Sequence, residues 1–188
     1  MDLIHFGQIN NAARIAVTHY NQLNFDLKRV LSPYFSEEET KSFRQLQITT
    51  GTVISGSTAL QLFDRTTYPE SDLDIYVEHR YRRDVGWWLM NIGYKYKPSG
   101  SEPSKTFAKA LSMWSPETWE AEYALDHGVT DIFNFFKAGS KRKVQLISTR
   151  RCTMEVILNF HSSMLITFVI YGTMGSMDGS MCYECYNS

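Results

Sequence analysis

Apolar positions in the first third of the chain recur at helical spacing. Leu23, Leu27 and Leu31 stand four apart, following Ala16, and predict a helix over 22–31 that stops before Pro33. Ser36-Glu37-Glu38-Glu39 is a capping-box pattern. In it, the serine side chain accepts from the third helical N–H and the glutamate reaches back, so a helix over 37–46 is expected. Two threonines and Gly51 break that run. Thr52-Val53-Ile54 predicts a short strand, Gly56-Ser57 punctuates it, and Thr58 to Phe63 fits the first turns of another helix.

Beyond a turn at Tyr68-Pro69-Glu70-Ser71, the segment Asp72-Leu73-Asp74-Ile75-Tyr76-Val77-Glu78 alternates polar and apolar residues. Period two predicts a strand with one buried face. Residues 81–92 read as a helix around Trp87-Trp88-Leu89-Met90, and 96–107 as a loop holding Pro98, Gly100 and Pro103. Thr130 to Phe136 and Lys143 to Thr149 predict two strands joined by a hairpin turn at Ala138-Gly139-Ser140. The most apolar stretch, 153–172, is interrupted by Glu155, Asn159 and His161, which are costly at the centre of a membrane span. It reads as a buried helix followed by a short strand or a second helix. Together these elements predict an α/β (α+β) fold, one mixed sheet packed against helices. The expected organisation is an N-terminal helical extension over 1–47, a core over 48–172 and a flexible tail over 173–188.

Composition narrows this picture. The chain has 188 residues, 43% hydrophobic and 21% charged, which excludes a disordered, collagenous or coiled-coil protein. A net charge of -1 argues against a DNA-packaging role, and three cysteines do not make a disulfide framework. Neither a secretory signal nor a spanning segment is legible, so an intracellular setting, cytoplasmic or nuclear, is expected.

The candidate chemistry lies between Val53 and Val77. Side chains two apart on a strand share a face, so Asp72 and Asp74 converge. Paired carboxylates repel when dry unless a cation lies between them. Mg²⁺, or Mn²⁺ in its place, is a hard ion suited to such oxygens and keeps waters or phosphates as its other ligands. Gly56-Ser57, between a strand and a helix, can turn backbone N–H groups and a hydroxyl toward a phosphate. Separately, each feature has an ordinary explanation: a solvated strand face and a helix cap. Their conjunction is the stronger signal.

ISGSTALQLF and SDLDIYV, with fourteen residues between Ser57 and Asp72, together resemble the signature of the polymerase-beta-like nucleotidyltransferase superfamily, particularly its fungal members. The resemblance implies a minimal nucleotidyltransferase fold that moves a nucleoside monophosphate from a nucleoside triphosphate to an acceptor. Asp72 and Asp74 would be the catalytic metal ligands. Gly56 and Ser57 would contact the phosphates, with Arg65 and Lys143 completing the nucleotide-binding set. Active members carry a third acid on a later strand, where this chain has Gln145, a residue that cannot act as a base. Asp131, at the start of the preceding strand, is the expected replacement as third metal ligand, and Glu155 is a weaker candidate. The alternative is a catalytically inactive relative serving as a nucleotide-binding or protein-interaction module. An RNA or protein acceptor, and a partner protein supplying the helical domain common in the family, are the partners implied.

Other features are weaker. Lys137, Lys141, Arg142, Lys143, Arg150 and Arg151 make the hairpin region basic, suited to triphosphate or polynucleotide but equally to a solvated tip. Tyr94 and Tyr96 share a face that can stack bases or form a sheet edge. Cys182 and Cys185 form a lone C-x-x-C without the second pair zinc needs. His161 reads as a buried helix histidine.

Overall fold

The computed structural model describes residues 3–24, 27–64, 66–98, 106–112, 128–159, 167–170, 173–176 and 182–183. The chain enters through α1 (Leu3–Gln8), α2 (Asn11–Asn24) and α3 (Leu27–Leu31); the helix expected over 22–31 falls on the end of α2 and on α3, its residues 25 and 26 lying outside the described residues. α4 (Glu37–Thr50) begins on the capping box. Ser36 Oγ accepts from the Glu39 N–H at 3.2 Å, and the Ser36 N–H donates to Glu39 Oε2 at 2.8 Å. The helix outruns its expected end and closes at Gly51, whose φ of 64° is the left-handed conformation favoured at a helix C-terminus.

β1 (Val53–Ser55) leads directly into α5 (Gly56–Asp64), and β2 (Leu73–Glu78) into a 3₁₀ turn (His79–Tyr81) and α6 (Arg82–Asn91). β3 (Tyr94–Lys97), α7 (Phe107–Ser112), β4 (Val129–Lys137), β5 (Lys143–Thr149) and α8 (Thr153–Leu158) follow. β6 (Thr167–Ile170), β7 (Thr173–Ser176) and β8 (Cys182–Tyr183) complete the order. The sheet runs β3-β4-β5-β2-β1-β6-β7-β8. All its pairings are antiparallel except β2 with β5, which makes the sheet mixed. The α+β fold read from the sequence is therefore the observed one.

Period two sorts the strands onto two faces. Leu73, Ile75 and Val77 of β2 align with Val144 and Leu146 of β5 and Phe133 and Phe135 of β4. This face forms the main core with Val85 and Leu89 of α6, Phe107 of α7, Leu62 of α5 and Phe43 of α4. Val53, Tyr76 and Ile147 lie on the opposite face and pack beneath Val156 and Ile157 of α8. Phe107 is a hub for Tyr96, Phe133 and Phe135. A Cβ on Gly86 would stand 2.1 Å from its ring, so α6 approaches α7 as closely as it does only through glycine.

Two boundary expectations change. Leu27, Val30, Leu31, Tyr34, Phe35 and Phe43 are buried in the main core, so the segment 27–47 is part of the folded unit rather than an extension. In the expected tail, β7 and β8 pair onto the sheet through β6. Of the two readings of Tyr94 and Tyr96, the sheet edge is the observed one, since both lie on β3 at one end of the sheet. The Tyr94 hydroxyl donates to the Tyr34 carbonyl at 2.7 Å, and Tyr96 packs on three phenylalanines.

Candidate functional site

The site forms where β1 ends, α5 begins and β2 starts. Ser55 pairs with Asp74, so Gly56 turns out of the sheet beside that carboxylate. Gly56 has φ of 69°, and a Cβ there would lie 2.3 Å from Asp74 Oδ2. Both facts require glycine: one for the backbone conformation, the other for the close approach. Ser57 follows, half-buried in the first turn of α5.

Asp72 is held by its own backbone. Thr58 Oγ1 donates to the Asp72 carbonyl at 2.7 Å, and the Tyr34 hydroxyl donates to the Ser71 carbonyl at 2.6 Å. Gln61 Nε2 donates to Ser71 Oγ at 2.7 Å, while Gln61 Oε1 accepts from the Tyr68 N–H at 3.0 Å. Tyr34, Thr58 and Gln61 thus clamp the segment between α5 and β2 and set where its acid points. None of the three has a sequence signature, because the clamp joins residues up to 37 apart in the chain.

Asp74 lies on the α8 side of the sheet, in a row with Ser55, Gln145 and Asn134. Burial, then the neighbouring Asp72 charge, push its carboxyl up to about 7, against the opposing pull of Lys143. Its Oδ1 is buried without a hydrogen-bond partner among the described residues. Tyr76, two residues on, has its hydroxyl raised above the usual tyrosine range by burial and by Asp74. Lys143 Nζ stands 3.0 Å from Asp72 Oδ2.

Gln145 occupies the strand position expected of a third acid, level with Asp74, and its Nε2 donates to Asn134 Oδ1 at 2.9 Å. The row is therefore acid, amide, amide. Asp131 does not supply the missing charge. It pairs with Ser148 in the row of Val77, on the face opposite Asp74. There its Oδ2 accepts from Ser148 Oγ at 3.1 Å and lies 3.8 Å from Arg82 Nε and 3.6 Å from His79 Nδ1. The expectation of Asp131 as a metal ligand beside Asp72 and Asp74 is corrected by that geometry: an odd number of residues separates the two registers, and the pleat sends their side chains apart. Burial and the Arg82 charge depress the His79 imidazole, although Asp131 acts the other way. Glu155 is exposed on α8. Arg65, His161 and Cys185 lie outside the described residues.

The structure brings together Asp72, Asp74, Gly56, Ser57 and Lys143, and separates Asp131 from them. The donor set fits one hard cation. Two carboxylates converge, one oxygen is orphaned, and the missing Gly56 side chain leaves backbone beside it. No group of three or more His, Cys, Asp or Glu residues suited to a metal occurs among the described residues. Two other basic groups of the hairpin have structural partners. Lys137 Nζ bonds Glu39 Oε1 at 2.7 Å, and the Arg142 guanidinium lies 5.4 Å from the centre of the Tyr34 ring. A groove of about 420 Å³ under α6 is lined by Arg80, Arg82, Arg83 and Trp87. Glu78 and Asp131 already answer two of those arginines. Among the described residues no helix is long and apolar enough to cross a membrane. No protein-family model, no curated protein and no solved structure matches this chain.

Proposed function

We propose that this chain is a nucleotidyltransferase-like protein. It binds a nucleoside triphosphate together with one divalent ion at Asp72 and Asp74. The observation that carries this reading is the Gly56–Asp74 contact. A strand-to-helix glycine stands against a half-buried carboxylate, one oxygen of which is buried and orphaned, and a second carboxylate lies two residues away. The first turn of α5, with Gly56 and Ser57, supplies N–H groups for phosphate, and Lys143 adds a positive charge. When bound, Mg²⁺ or Mn²⁺ supplies charge neutralisation at the phosphates. In the transfer reaction an acceptor hydroxyl attacks the α-phosphorus in line and gives up its proton to solvent, the bond from the α-phosphorus to the bridging oxygen breaks and pyrophosphate leaves, the protein contributing position and charge. RNA or protein acceptors, a partner chain and an intracellular location, cytoplasmic or nuclear, belong to this reading.

A second reading, nucleotide binding without transfer, is favoured by the Gln145–Asn134 pair. Two neutral amides stand where a third carboxylate would bind metal and accept the acceptor's proton. Incubation with labelled nucleoside triphosphates, Mg²⁺ or Mn²⁺ and RNA or protein acceptors separates the two. Transfer abolished by Asp72→Asn and by Asp74→Asn establishes the enzyme. Nucleotide binding that both substitutions weaken, with no transfer, establishes the binding module. Binding and transfer indifferent to both substitutions would overturn both.

A further inference from the structure

β5 runs parallel to β2, with Leu73 level with Val144 and Asp74 level with Gln145. Lys143-x-Gln145 is therefore laid alongside Asp72-x-Asp74, one strand over and on the same face. The lysine faces the first acid and the amide the second. Lys143 Nζ lies 3.0 Å from Asp72 Oδ2, and the two side chains are 30% and 35% exposed, so the pair stands at the mouth of the site. Gln145 is turned to Asn134 by its own hydrogen bond and offers the ammonium no second carboxylate. Among the described residues Lys143 is thus held at the site by a partly exposed ion pair with Asp72 and a weaker attraction to Asp74, on a flexible stem.

We propose that Lys143 is an exchangeable counter-ion of this site. It occupies the cation position at Asp72 in the free protein and transfers to the phosphates when a triphosphate enters. The proposal rests on the nucleotide-binding reading above and adds a direction to it. An ammonium in contact with Asp72 repels a divalent ion from the same oxygen, so Lys143 opposes metal binding alone. A triphosphate offers the ammonium a stronger anion, which releases Asp72 to the metal. Metal and triphosphate are therefore expected to bind cooperatively, with Lys143 as the coupling group.

The test is a pair of titrations on the full chain. Mn²⁺ binding is read by electron paramagnetic resonance without nucleotide, and a fluorescent nucleoside triphosphate is titrated in excess EDTA. Lys143→Met is expected to bind Mn²⁺ about fivefold or more tighter than the parent, and the triphosphate about fivefold or more weaker. Lys143→Arg, which keeps the charge, is expected to stay near the parent in both. This crossing of the two affinities is not produced by a loss of structure, and matching thermal melts of the three proteins check the fold. Unchanged or weaker Mn²⁺ binding in Lys143→Met overturns the proposal. Failure of the parent chain to bind triphosphate at all, with or without Mn²⁺, overturns the nucleotide reading instead. In that case tighter Mn²⁺ binding by Lys143→Met still establishes the lysine's hold on Asp72.

Discussion

Asp74 is the residue at which local chemistry and fold disagree most. A carboxylate on a strand costs little when solvated, yet here it is half-buried beside Asp72, and that desolvation and the Asp72 charge push it up to about 7. An unfolded aspartate titrates near 3.9, so between about pH 4 and pH 7 the folded chain binds the extra proton. Stability therefore falls as pH rises through that window, and the penalty is complete above it. Asp74→Asn removes the penalty. The variant should be more stable than the parent at pH 8, by on the order of 2–4 kcal/mol, and the gap should close toward pH 4. Urea unfolding in EDTA at the two pH values measures it, and a gap independent of pH would contradict the assignment. Asp72 and Asp74 were legible as a pair from their spacing alone. The burial of Asp74 was not, because it depends on Gly56 arriving from another strand and on Tyr76 and α8 closing that side.

At the scale of elements, local signals with short reach proved the most readable. The capping box at Ser36 needs only residues three apart, and both of its hydrogen bonds form. Ser36→Ala should cost about 1 kcal/mol, seen as a lower midpoint in thermal or urea unfolding. Glu39→Gln should cost more than its exposed neighbours Glu37 and Glu38. Burial works to raise the Glu39 pKa, but the bonds from Lys137 and the Ser36 N–H overcome it and hold the carboxyl low. That link from α4 to the end of β4 spans 98 residues and has no sequence signal. β3 was read partly as loop, since Pro98 and Gly100 follow it closely, and pairing with β4 outweighs that local signal. Asp131 failed for a related reason. Its strand was found, but its face depends on register against β5, which contains a bulge between Val129 and Asp131.

For the whole molecule, the division of labour differs from that expected of a helical extension followed by a core. Tyr34 bonds to Ser71 next to the first acid, and Phe35 and Phe43 pack on Trp88. Deleting residues 1–24 should leave a cooperative unfolding transition, whereas deleting 1–47 should abolish it. Far-ultraviolet circular dichroism through a thermal ramp distinguishes them. The sequence alone marked α4, α5, β1, β2, α6, β4 and β5, through apolar period and caps. It also placed the D-x-D acids, and the glycine before them, in one motif. Only the tertiary structure decided that β2 and β5 run parallel, setting Lys143 against Asp72 and Gln145 against Asp74. It alone sent Asp131 to the other face and made α3 and α4 part of the core. The reason is physical: helix caps and strand alternation act over a few residues. Sheet order, register and burial are settled only when segments far apart in the chain compete for the same apolar face.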